Sequence, residues 1–308
     1  MKLSNPFRNA RLLFDQYKRD SARAYLARVG REHLSQFPQM CCYSFDDIAV
    51  EINIDGQADR YALEKLLEVV KAEIKGRTVL DVGANIGNHA LAFSEIAARV
   101  FSFEPHPVTY QLLSLNIRNQ KNITAVNSGA SDTAAQLRAI SPVNNRGATS
   151  ISERPIVAGE EAWVFNVEPL DSRNDINETD VAMIKMDVEG HEEFALRGLE
   201  KCIRRNKPLI VVEQNTSAIA NNTSATFELL KSFGYSTFYS IDIDIQWRTS
   251  QRLPLILRRL SRIIESLIFG PANFDACLTT VNRLEHRDYP MLIASFASLS
   301  SARDHGIV

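Results

Sequence analysis

Cysteine is scarce in this chain, four residues in 308, and two of them, Cys41 and Cys42, are adjacent. That number and spacing make neither a disulfide framework nor a thiolate metal site. Reduced, structural thiols are expected, as in a cytoplasmic protein. Long apolar runs are missing too: none approaches the roughly 18 residues of a membrane span. The first residues are charged and lack the apolar core of a secretion signal. The net charge is only −2, so bulk electrostatics give no reason to expect a nucleic-acid partner. The charges present are segregated. Met1–Arg31 carries eight Lys/Arg against Asp15 and Asp20, and Gly159–Glu193 carries eleven acids against Arg173 and Lys185.

With 45% hydrophobic residues, the chain suffices for one large α/β domain with extensions. Residues 1–75 are expected to form a mostly helical extension. Within it, Ile48–Ile54 alternates apolar and polar residues and predicts a strand, and Tyr61–Ile74 predicts a helix with Leu63, Leu66, Leu67 and Val70 inside. From Thr78 the pattern becomes βαβ. Strands are predicted at Thr78–Val82, Val100–Glu104, Ile123–Asn127, Val181–Met186 and Leu209–Glu213, with helices at Asn88–Ala98, Pro107–Asn119, Glu192–Arg205 and Ser224–Phe233. A Rossmann-like domain over residues 76–308 follows, with a mostly parallel central sheet flanked by helices. The polar segment Ala139–Gly159 is long for a connection and reads as functional. Leu253–Phe269 reads as a basic amphipathic helix inserted near the end. It either packs on its own domain or makes a peripheral membrane or partner contact.

One further absence defines the site. Thr78–Gly87 reads as strand then glycine turn, but the turn is Gly83-x-Asn85-x-Gly87 and lacks the third glycine of a dinucleotide fingerprint. An acid, Asp81, stands just before it. A carboxylate there repels a pyrophosphate and suits a cationic ligand. S-adenosylmethionine carries an ammonium and a sulfonium and no phosphate. Glu104 ends the second strand at the place where a ribose-binding acid belongs, and Pro105 shapes the adenine side. The loop Ser128–Asp132 faces the adenine position, with Asp132 or a loop backbone group able to receive its amine. The block Ile184–Glu193 brings Lys185, Asp187, Glu189 and His191 to the edge beside the glycine turn. Asp187, Glu189 and His191 form a candidate acid/base site. They are also competent metal ligands, although no metal is called for. Glu213 ends the fifth strand at the same edge and is placed to orient an acceptor.

TVLDVGANIGNHAL, FSFEPHP, NSGASD, PLDS, IKMDVEGHEE and KPLIVVEQN, in this order and spacing over Thr78–Tyr235, resemble the FkbM-type methyltransferases. The resemblance implies a class I S-adenosylmethionine-dependent enzyme. It implies that Asp81, Gly83, Asn85 and Gly87 contact the cofactor's methionine part and glycine loop, with Glu104 on the ribose and Asp132 near the adenine. Asp187, Glu189 and Gly190 match the family's DVEG signature at the reaction edge. The implied reaction is O-methylation of a hydroxyl on a sugar, glycan, glycolipid or secondary metabolite, often in polysaccharide pathways. Glu189 or Asp187 is the expected base or orienter, with His191 and His89 next. Lys185 is expected to hold an anionic acceptor group or to balance the acids.

Other classes are weighed against this reading. A nicotinamide oxidoreductase needs the missing glycine and no acid at Asp81. A non-catalytic binding subunit with a methyltransferase fold is opposed by the intact motifs. Methyl transfer to nitrogen or to RNA is a nearer alternative, and the near-neutral charge argues against RNA. The extensions on either side of Thr78–Tyr235 carry no chemical signature that identifies the acceptor.

Overall fold

A computed structural model of the chain describes residues 6–143, 145–246 and 273–299. Leu253–Phe269 lies outside these residues, as do most of the final ones. Three helices come first, α1 (Pro6–His33), α2 (Asp47–Asp55) and α3 (Arg60–Ile74). Alternation and repeat then follow the expected order. The elements are β1 (Thr78–Val82), α4 (Asn88–Ser94), β2 (Arg99–Phe103), α5 (Pro107–Ile117) and β3 (Ile123–Val126). Next come β4 (Gly129–Ala130), β5 (Ala135–Pro142), β6 (Ser150–Ile151), β7 (Glu160–Glu168), α6 (Asn174–Asn177) and β8 (Val181–Met186). The chain continues with α7 (Glu192–Arg197), α8 (Glu200–Asn206), β9 (Leu209–Gln214), α9 (Ala225–Phe233), β10 (Thr237–Gln246), β11 (Asn273–Thr280) and β12 (Tyr289–Ser295).

Eight strands form one sheet in the order β11-β10-β12-β9-β8-β1-β2-β3. The five from β3 to β9 are parallel, and β12 runs antiparallel between β9 and β10. The parallel strands are apolar on both faces because helices cover both. Alternate residues divide between two cores. Leu80, Val82, Ile184 and Met186 pack with α7, α8 and α9. Val79, Met183 and Val211 pack with α3, α4 and α5. In α3, Leu63, Leu66, Val70 and Ile74 recur at helical spacing and are fully buried, so this helix belongs to the second core.

Two expectations are corrected here. Ile48–Ile54 is helical, within α2, and not a strand. Asp46 accepts a hydrogen bond from Ile48 N at 3.1 Å, and Gly56 closes the other end at φ 83°. Seven alternating residues fit both periods, and the two caps decide for the helix. The single helix predicted over Glu192–Arg205 is broken into α7 and α8 around Gly198. A Cβ at Gly198 would lie 1.9 Å from Ser131 O, so the chain approaches the Ser131 backbone too closely for any side chain. The segment Ala139–Gly159 is also more ordered than a loop. Its first residues, 139–142, end β5, and Ser150–Ile151 in its middle form β6 of a second, four-stranded sheet, β4-β7-β5-β6, which stands over the cavity described below.

Candidate active site

β1 continues to β2 on one side and β8 to β9 on the other, so a crevice opens where these central neighbours end. Asp81 and Lys185 are register partners on β1 and β8, and their side chains share one face. Lys185 Nζ lies 3.8 Å from Asp81 Oδ1 and 3.3 Å from Asp187 Oδ2, and it donates to Gly83 O at 3.4 Å. Burial opposes its charge, but Asp187 and Asp81 raise its pKa overall. Lys185 therefore balances acids. Asp81 is fully buried with no hydrogen bond to either carboxylate oxygen, and burial pushes it up to about 6 against the pull of Lys185. It sits under the glycine turn and does not line a cavity there.

Gly83 is the close-approach residue of the turn. At φ 78° a Cβ would lie 1.7 Å from Asp187 O, so the β1 turn and the β8 end meet backbone to backbone. Asn85, at φ 49°, donates its N–H to Glu104 Oε2 at 2.9 Å, and His106 N donates to Oε1 at 2.8 Å. Glu104 is thus fixed at the end of β2. Burial pushes it up to about 7 although both backbone bonds favour its charge. Asn127 Nδ2 donates to Glu104 O at 2.8 Å and holds the same bend. Gly87 starts α4 at φ 93° and packs against Leu113, away from the cavity.

A cavity of about 700 Å³ opens between these parts. Gly83, Asn85, Glu104, Pro105, Gly129 and Ala130 line one part of it. Asp187, Glu189 and His191 line another, and Ile151, Phe165 and Val167 of the small sheet cover it. His106 also lines it. Its Nδ1 accepts from Val108 N and Thr109 N, so the ring proton belongs on Nε2, which has no partner although the residue is only 2% exposed. Trp163 packs on the ring at 4.4 Å and burial lowers the imidazole to about 4. His191 donates to or accepts from Ser131 Oγ at 3.0 Å and stacks on Phe194. Asp132 is exposed, its Oδ1 taken by the Ser131 and Thr133 hydroxyls, and the structure does not bring it to the cavity wall.

A second cavity, about 940 Å³, adjoins the first and shares Gly83, Asn85, Gly147, Asp187 and Glu189 with it. Its other walls come from Asp47, Ile48 and Glu51 of α2, from Asp59 and His89, and from Asn145, Lys185 and Glu213. Asp46 ties two of these walls together: it caps α2 and accepts from Arg146 N at 3.0 Å. Glu189 stands where the cavities meet, in the left-handed region at φ 51°. Such a backbone costs a non-glycine residue on the order of 1 kcal/mol, and strain of this kind collects at functional sites. Burial first, and then Asp187, push Glu189 up to about 7. Asp187 and Glu213 share a proton. Burial and Asp187 raise Glu213 to about 9, while Lys185 and the bond from Glu213 hold Asp187 below its usual range despite burial. One oxygen each of Asp187, Glu189 and Glu213 lies within 4.8 Å of the others, and this is the trio among the described residues with the reach for a divalent cation. Lys185 already supplies a positive charge to it. His89 is held neutral, lowered by burial to about 3.

The residues fit S-adenosylmethionine. Glu104 is a fixed carboxylate for ribose hydroxyls, His106 Nε2 has no partner of its own, and the two cations near the glycine turn, Lys185 and Arg146, are already paired with carboxylates. The parallel sheet with β12 inserted antiparallel beside β9 and β10 is the class I methyltransferase fold. The family model for the methyltransferase FkbM domain matches residues 81–237, and the chain belongs to that family. Over 138 residues it is 30% identical to the hexuronic acid methyltransferase AglP of Haloferax volcanii, covering 42% of this chain and 53% of that protein. The chain thus spans about half the length of this curated relative. Among solved structures, it resembles the methyltransferase FkbM of Methylobacillus flagellatus KT, at 19% identity and TM-score 0.36 over 66% of this chain and 58% of that one. It also resembles the Aeropyrum pernix fibrillarin with bound S-adenosyl-L-methionine, at 15% identity and TM-score 0.36 over 57% and 68%.

The residues that sequence reading passed over are those with no motif. Asp47, Glu51 and Asp59 belong to a wall whose partner strands lie far along the chain. His106 stands two residues after Glu104 and Asn127 twenty-three, and the bonds that join them to Glu104 carry no sequence signal.

Proposed function

We propose that the chain is an S-adenosylmethionine-dependent O-methyltransferase acting on a hydroxyl of a sugar, glycan, glycolipid or secondary metabolite. The observation that carries this reading is the pair of adjoining cavities with Asp187 and Glu189 at their junction. The smaller one is lined by Glu104, Pro105 and His106, and so fits the adenosyl part. The larger one fits the acceptor. When bound, S-adenosylmethionine supplies a methyl group already activated on a sulfonium carbon.

The protein's own task is alignment and proton removal. Glu104 holds the ribose hydroxyls, with its orientation set by Asn85 N and His106 N. Glu189 lines both cavities, and burial keeps its carboxyl near neutral pH, which is where a general base is most effective. It takes the acceptor's proton onto its carboxylate. Asp187, kept ionised by Lys185, orients the acceptor hydroxyl, and Glu213 donates its proton to Asp187 and fixes that carboxylate in place. The name of the Haloferax relative, a hexuronic acid methyltransferase, supports a sugar acceptor.

Two substitutions separate the roles. Glu104→Ala weakens S-adenosylhomocysteine binding more than about tenfold, the scale of a lost charged hydrogen-bond partner. Glu189→Ala leaves that affinity nearly unchanged and lowers methyl transfer by about 10²–10⁴-fold, the range of general base catalysis. Calorimetry and transfer of a labelled methyl group read the two effects. Equal loss of cofactor affinity in both variants contradicts this division of labour.

A further inference from the structure

Acids dominate the lining of the larger cavity. Asp47, Glu51, Asp59, Asp187, Glu189 and Glu213 line it, with Glu213 protonated at neutral pH, Glu189 partly so, and Asp59 raised by burial and Glu51; among the described residues Lys185 is the lining cation. Lys185 is committed, within ion-pair distance of Asp81 and Asp187 and bonded to Gly83 O. His89 adds no charge. Its side chain is 12% exposed, its Nε2 makes no hydrogen bond, and it lies 3.7 Å from Asp59 Oδ2. Arg146, the nearest loop cation, pairs with Glu161 at 3.0 Å and packs over Tyr43, on the side of the smaller cavity.

Three of the acids are not at the reaction edge. Asp47 and Glu51 project from α2, and Asp59 precedes α3. Their charges fall on the part of the acceptor that does not react. A carboxylate placed among them meets several like charges and no free cation. Hydroxyls and ammonium groups are well served, because carboxylates accept their hydrogen bonds.

We propose that this wall, with Glu51 and Asp59 as its specificity-determining residues, selects a polyhydroxylated acceptor without a carboxylate and rejects uronates. The inference rests on the methyl-transfer reading above and adds the charge class of the acceptor to it. It sets this chain apart from any enzyme of the family that takes an acidic sugar.

The test uses the full chain saturated with S-adenosylhomocysteine, in EDTA, with three probes of equal size: methyl glucoside, glucosamine and glucuronate. Binding of S-adenosylhomocysteine itself is measured first, and its absence counts against the methyl-transfer reading. With the cofactor product bound, the neutral and amino sugars are expected to bind at least about tenfold more tightly than glucuronate, the scale of one added like charge near a protein surface. Glu51→Lys reverses that order for glucuronate. Glu51→Gln, which keeps the shape and the bond that Asp59 N donates to Glu51 Oε2, moves it in the same direction by less. Equal binding, no binding of any probe, tighter glucuronate binding, or glucuronate binding restored by Mg²⁺ in place of EDTA overturns the proposal.

Discussion

Glu189 combines three properties that rarely meet in one residue. It is the junction of two cavities, its backbone is left-handed, and its carboxyl is held near pH 7. A base must be deprotonated to act. Methyl transfer per unit of free enzyme is therefore expected to rise with pH through about 7 and then level off. Cofactor binding adds a positive charge beside the carboxylate, so the same limb measured at saturation lies at lower pH. A profile flat from pH 5 to 9 removes Glu189 from the base role. The DVEG motif ends a buried strand and points to Asp187 and Glu189 at this edge. The neighbouring motifs also point to His191 and Asp132 as site residues. His191 lines the smaller cavity and meets Ser131 Oγ, whereas Asp132 is exposed and held by two hydroxyls away from the wall. Such local bonds depend on loop geometry, which residue order does not encode.

At the scale of elements, the glycine turn and the small connection over the cavity do separate work. Gly83→Ala forces the β1 turn away from the Asp187 backbone. Loss of S-adenosylhomocysteine binding by more than about tenfold is expected, because even a small displacement of positioning groups is costly. Calorimetry on the folded variant checks it, and unchanged affinity contradicts the close-approach argument. Asp46→Ala removes the α2 cap and the bond to Arg146 N together. A stability loss of about 1 kcal/mol is expected in chemical unfolding, typical for an N-cap. A weaker cofactor complex should accompany it, since the segment at Gly147 borders both cavities. The parallel strands were legible almost to the residue, because continuous apolar runs between glycine and proline signals allow few other readings. α2 was not legible. Its seven residues alternate like a strand, and the caps that make it a helix lie just outside them.

Across the whole molecule, the acids concentrated at one sheet edge make stability depend on pH. Glu104 and Glu189 titrate near 7 and Glu213 near 9 in the folded chain, all above their unfolded values. Above about pH 7.5 the unfolded imidazoles of His89 and His106, both lowered in the fold, have lost their protons, while Glu213 and part of the Glu104 and Glu189 population stay protonated, so the folded state holds more protons than the unfolded one. Unfolding stability must fall as pH rises from there toward 9. A melting temperature that climbs over that interval contradicts the burial of these acids. The same edge defines the central claim, that the smaller cavity is built for a cationic adenosyl cofactor and not for a pyrophosphate one. Titration calorimetry of the intact chain with S-adenosylhomocysteine and, separately, with NAD tests it most directly. The account predicts one-site binding of S-adenosylhomocysteine and none of NAD. Binding of NAD with no binding of S-adenosylhomocysteine would contradict it.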